Sequence, residues 1–80
     1  MANKKGNIEI GHRAYEEVLR IFESGYKAAY KMCIRKNIIY EWKAGRVPGG
    51  HYLALLHHYG CDVIYILTGR RNNGNKEKTS

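Results

Sequence analysis

Residues 63 to 67 read V-I-Y-I-L, a run of β-branched and aromatic side chains whose local propensity is that of a strand. It is the only strong strand candidate in the chain, and a lone strand has no partner for its backbone N–H and C=O groups. Asp62, just before the run, can accept the free N–H groups of a first helical turn. Gly69, just after it, can take the left-handed conformation that ends a helix. The bracket predicts a short helix over residues 63 to 68, with Val63, Ile66 and Leu67 closing the core and Ile64 and Tyr65 left on the outside. With that strand removed, the expected class is all-α.

The rest of the chain carries helical spacing. Within residues 11 to 24, Tyr15, Val18, Leu19 and Phe22 recur at i, i+3, i+4 and i+7, which sets them on one face of a first helix. Glu16, Glu17, Arg20 and Glu23 fall on the other, solvated face, with Glu16 and Arg20 spaced for an ion pair. Ser24 is placed to cap a second helix running to Met32, whose inward residues are Ala28, Ala29 and Met32. A third helix is expected over residues 35 to 44, with Ile38, Ile39 and Trp42 inward and Gly45 ending it. G-R-V-P-G-G, residues 45 to 50, is a loop; Tyr52, Leu53, Leu55, Leu56 and Tyr59 then give a fourth helix stopped by Gly60. Residues 1 to 8 and 70 to 80 offer few apolar side chains to bury. They are expected to be a mobile N-terminal arm and a mobile basic tail around one domain, residues 9 to 69.

Function classes narrow with charge. Eighty residues allow a single domain with a modest core, and a formal net charge of +7 directs attention to nucleic acid or an anionic membrane. No window approaches the roughly 20 apolar residues of a bilayer span, and the basic N-terminus lacks a signal peptide's apolar stretch, so a cytoplasmic location without membrane attachment is expected. Cys33 and Cys61 are far apart and outside any C-x-x-C pair, which predicts reduced, buried thiols. His12, His51, His57 and His58 lack metal-ligand spacing. No nucleophile–base signature, phosphate loop or plausible carboxylate pair is present, so neither an enzyme nor a cofactor is expected.

Between residues 24 and 47 lie six basic residues, Lys27, Lys31, Arg35, Lys36, Lys43 and Arg46, against one acid, Glu41. Two short helices across a tight turn in so basic a segment are the arrangement of a helix-turn-helix, whose second helix enters the major groove of DNA. With Ile39 and Trp42 as anchors, the helical period turns Lys36, Asn37, Tyr40 and Glu41 outward toward base edges. Lys donates to guanine, Asn bonds bidentately to adenine and Glu accepts from cytosine. Ser24, Tyr26, Lys27, Lys31, Arg35, Lys43 and Arg46 are the expected phosphate contacts.

From Tyr15 to Arg70 the chain resembles the Cro/CI-type (XRE-family) helix-turn-helix domains of phage repressors and related bacterial regulators. The likeness is carried by Ala29, by I-Y-E-W-K-A-G-R-V-P (residues 39 to 48) and above all by L-x-L-L-H-H-Y-G-C-D-V-I-Y-I-L-T-G (residues 53 to 69). The resemblance implies a compact five-helix, lambda-repressor-like fold, a recognition role for the third helix and a homodimer on a palindromic double-stranded DNA operator. Ile64 and Tyr65 are the candidates for the dimer contact. Three residues depart from the family pattern. Cys33 stands where the turn usually has Gly, which puts its shape in question; Arg35 replaces a Ser/Thr cap, leaving Asn37 as an alternative cap for a helix that starts later; Gly25 replaces a polar phosphate-touching residue. Lys4, Lys5, Arg70 and Arg71 are either solubilising ends or arms for phosphate. The function expected is a sequence-specific, phage- or prophage-type transcriptional repressor. The alternatives are an antitoxin-like or accessory helix-turn-helix protein with a protein partner, and a protein-interaction module that does not bind DNA.

Overall fold

The structure, a computed structural model, describes residues 3 to 71, with side chains from residue 8 onward. Five helices follow one another: α1 (Asn3–Phe22), α2 (Gly25–Met32), α3 (Lys36–Lys43), α4 (Gly50–His58) and α5 (Val63–Thr68). No strand occurs among the described residues, so the all-α class holds. The long α1 is the spine, packed against α2, α3 and α5, while α2 lies on α3 and α4 on α5. Each helix sends at least one fully buried residue to the centre: Val18, Ala28, Ile39, Leu56 and Ile66 are all 0% exposed.

The V-I-Y-I-L run is a helix with the expected bounds. Asp62 Oδ1 accepts the Tyr65 N–H at 2.9 Å, and Gly69, at φ 80°, donates its N–H to the Tyr65 carbonyl at 2.7 Å. Burial of Ile66 between α1 and α4 outweighs a β preference of a few tenths of a kcal/mol per residue. Leu67 differs from expectation and is 42% exposed. Six residues make under two turns, so the inward arc is centred on Ile66 alone; Val63, also expected in the core, is half-buried at the edge of a surface hollow, and Leu67 lies outside the arc.

α1 begins at Asn3, ahead of the expected residue 11, and runs through Gly11 without a break. The glycine is there for space: a Cβ on it would stand 2.5 Å from the Arg46 carbonyl oxygen. Ile8 in turn packs against Gly45, which ties the added turns of α1 to the loop after α3. The buried arc of α1 is also rotated from the expected one. It runs through Glu17, Ala14, Val18 and Phe22, while Leu19 is 39% exposed. Arg20 accordingly pairs with Glu17 rather than Glu16, and Glu16 accepts the Tyr65 hydroxyl at 2.6 Å.

Between α2 and α3 the turn keeps a left-handed residue although no glycine is available. Cys33 adopts φ 59° and ψ 44°, its N–H reaching the Tyr30 carbonyl at 3.3 Å and the Ile34 N–H the Ala29 carbonyl at 3.0 Å. These are the paired bonds that close a helix C-terminus around a left-handed residue, at a cost of roughly 1 kcal/mol for a side chain there. Cys33 is consequently exposed, not buried; Cys61 is buried, and burial, then the Glu17 carboxylate, push its thiol up to about 12. α3 starts at Lys36, so Asn37 lies inside the helix and does not cap it. Arg35 occupies the cap position without a side-chain bond.

Candidate nucleic-acid interface

α3 is held by its inward arc, with Ile39 at 0% and Trp42 at 2% exposure and Ile38 half-buried beside them. Diametrically outward lie Asn37 and Ala44, both exposed. Lys36, Tyr40 and Lys43, at i, i+4 and i+7, flank them on the side of α2 and α1, and Glu41 flanks them on the other. The outward arc therefore carries a cationic edge, a neutral centre and one carboxylate. Glu41 is not isolated, since Arg46 stands 3.7 Å from it. Eight residues at about 1.5 Å rise give α3 a length of roughly 12 Å, enough to span a major groove of similar width.

Tyr40 does more than face outward. A Cβ at Gly25 would lie 3.3 Å from its ring, and its centroid is 6.1 Å from that of Tyr15. Gly25 thus leaves the room in which the Tyr40 ring bridges α3 to the start of α2. Two further tyrosines sit under the cationic edge: Lys36 Nζ is 5.6 Å from the Tyr26 ring and Lys43 Nζ 5.6 Å from the Tyr15 ring. Tyr15 was expected only as a core residue.

The start of α2 adjoins this surface. Ser24 Oγ accepts the Lys27 N–H at 3.0 Å, so the hydroxyl is the helix cap as its position predicts. Lys27 Nζ reaches Glu23 at 2.7 Å, a contact that holds the Glu23 carboxyl below its usual range. Lys31 and Arg35 are exposed beyond it. Tyr26 and Tyr30 are also exposed, at 63% and 79%.

Away from the α2–α3 segment, Arg13 pairs with Glu9, Arg20 with Glu17, and Arg71 with both Glu17 and Asp62. Within it, Lys31, Arg35, Lys36 and Lys43 have no carboxylate partner among the described residues. Repeated exposed cations without carboxylate partners within one segment are the electrostatic footprint expected of a polyanion site.

Arg71, expected at the start of the basic tail, is bound back onto the domain. Its guanidinium is 2.7 Å from Glu17 Oε2, 3.4 Å from Asp62 Oδ2 and 3.9 Å from the centroid of the Tyr65 ring. Glu17, expected on a solvated face, is 0% exposed and also accepts from Arg20 at 2.7 and 3.0 Å and from the Asp62 N–H at 2.8 Å. Burial alone would raise its carboxyl, but bonds from Arg20, Arg71 and the Asp62 amide prevail and hold it at about 2. The Glu17–Arg20 spacing is visible in the sequence; no local signal brings residue 71 to residue 17. Lys4, Lys5 side chains and residues 72 to 80 lie outside the described residues.

Ile64 and Tyr65 are placed away from the α3 surface. Ile64 is 52% exposed beside a shallow apolar hollow lined also by Leu53, Ala54 and Val63. Tyr65 is occupied within the chain by Glu16 and Arg71. No cluster of three or more His, Cys, Asp or Glu able to hold a metal occurs among the described residues, and no helix there is long and apolar enough to cross a membrane. Comparison with protein-family models, with curated proteins and with solved structures finds no match.

Proposed function

We propose that this chain is a sequence-specific double-stranded DNA-binding regulator of the phage- or prophage-repressor kind, acting in the cytoplasm by occupying an operator. The observation that carries the reading is the set of exposed cations without carboxylate partners, Lys31, Arg35, Lys36 and Lys43, in the segment that holds α2 and an α3 anchored by Ile39 and Trp42. α3 enters the major groove and offers Lys36, Asn37, Tyr40 and Glu41 to base edges. Ser24 and Lys27 at the start of α2, with Lys31, Arg35, Lys43 and Arg46, meet the phosphates on either side, while the Tyr26 ring lies against Lys36. Glu41 exchanges its Arg46 partner for a base amino group, which keeps the carboxylate compensated in the complex. Ile64 and the hollow beside it supply an apolar face for a second copy, so that two α3 helices address a palindrome.

Titration of a labelled random duplex over a series of salt concentrations tests the reading. Three phosphates neutralised by Lys31, Arg35 and Lys43 predict a slope of log affinity on log salt of about −3, steeper if Lys27 and Arg46 leave their carboxylates. Absence of salt-dependent binding ends the proposal. Selection from a random duplex library then reports half-sites about one helical turn apart for a dimer. The exposed Ile64 face equally suits an accessory protein with a different partner, for which co-purification of that partner and a lone half-site are the expected results.

A further inference from the structure

Tyr15 and Tyr26 have a geometry that neither core packing nor phosphate contact accounts for. Tyr26 belongs to α2 and Tyr15 to α1, yet each places its ring 5.6 Å from the ammonium of a lysine at one end of α3. Lys36 is the first residue of that helix and Lys43 the last. The separation is within the roughly 6 Å at which an ammonium is attracted by the face of an aromatic ring. A free lysine side chain has four rotatable bonds, and bonding a base atom requires restricting them. A ring behind the ammonium restricts them before DNA arrives.

We propose that Tyr26 is a positioning residue for Lys36, and Tyr15 for Lys43, so that the cationic edge of α3 is preset by aromatic rings on the two helices behind it. This rests on the DNA-binding reading above and adds to it a division of labour: the ring of Tyr26 acts through Lys36, whereas a phosphate contact by Tyr26 would act through its hydroxyl. Tyr40 completes the arrangement, its ring seated between Gly25 and Tyr15, which fixes the backs of both rings' helices against α3.

Tyr26 is the cleaner test because it is largely exposed and its loss leaves the core intact. Tyr26→Phe keeps the ring and removes the hydroxyl; Tyr26→Leu removes both. On a duplex selected by the unaltered chain, Tyr26→Leu lowers affinity by about two- to fivefold, the value of an exposed cation–ring contact. Tyr26→Phe leaves it near the starting value, and random-sequence duplex binds all three alike with an unchanged salt slope. Without DNA, the Lys36 ε-methylene protons show a ring-current shift that persists in Tyr26→Phe and vanishes in Tyr26→Leu. Equal losses in the two variants would assign the effect to the hydroxyl and overturn the proposal, as would a Tyr26→Leu chain that binds and resonates like the original. If the unaltered chain binds no duplex, the DNA reading falls and this one with it; if it binds and only the variants fail to differ, the positioning role alone falls. Tyr15→Phe against Tyr15→Leu, read at Lys43, repeats the test at the other end of α3.

Discussion

Replacing Glu17 by Gln removes one negative charge and almost no volume from a site where two guanidinium groups and a backbone amide converge. The carboxyl is held at about 2 against an ordinary 4.5, which at about 1.4 kcal/mol per pH unit corresponds to roughly 3 kcal/mol of stability. The side chain is fully buried, and its loss costs both arginines a partner: Arg20 loses its carboxylate and Arg71 keeps only the longer contact to Asp62. Because the folded value is depressed, the contribution is present above about 4.5 and is lost as pH falls toward 2. Urea unfolding followed by Trp42 fluorescence, buried in the core, measures both chains across that range. At neutral pH the Glu17→Gln chain is expected to be about 3 kcal/mol less stable, a large share of what so small a domain possesses. Between pH 4.5 and 2 the two curves converge, since the original chain alone titrates this carboxyl. A difference under about 0.5 kcal/mol at neutral pH, or an acid limb identical in both chains, would refute the argument.

Two backbone predictions follow from close approach and from strain. Gly11→Ala drives a methyl to 2.5 Å from the Arg46 carbonyl oxygen, so α1 and the loop after α3 must separate; a loss of about 1–3 kcal/mol in thermal or urea unfolding is expected, and none if the loop moves freely. Cys33→Gly relieves the left-handed cysteine and is expected to stabilise the domain by about 0.5–1 kcal/mol, with DNA affinity unchanged; destabilisation would show that the turn needs its side chain.

What the sequence made legible was local. Asp62 and Gly69 bracket α5 by cap chemistry within the segment itself, and Ser24 caps α2 for the same reason. Ala28, Ala29 and Met32 follow from helical period, as do Ile39 and Trp42. The failures all concern what a helix meets. Leu19 and Glu17 trade places because Arg20, together with Arg71 and the Asp62 amide from elsewhere in the fold, rewards burial of a carboxylate. Period analysis treats that carboxylate as solvated. Residues 70 and 71 look like the start of a tail because nothing apolar follows them, while the partner that captures Arg71 is 54 positions away. At the α3 surface, the outward residues Lys36, Asn37 and Tyr40 were readable from spacing, but the rings beneath the two lysines come from other helices and leave no mark on the α3 sequence.

The seat of Tyr40 bears on how such a chain can change what it recognises. Its ring occupies the space that Gly25 leaves on α2 and leans on Tyr15 from α1. A recognition helix transplanted from elsewhere with a small residue at position 40 would open a gap at the α2 start. A larger residue at 25 would in turn push the Tyr40 ring off its seat. Positions 25 and 40 therefore form a coupled pair, so that, on the DNA-binding reading proposed above, α3 would not be an exchangeable cassette: altering the bases it is proposed to read would require redesigning the helix behind it in the same step.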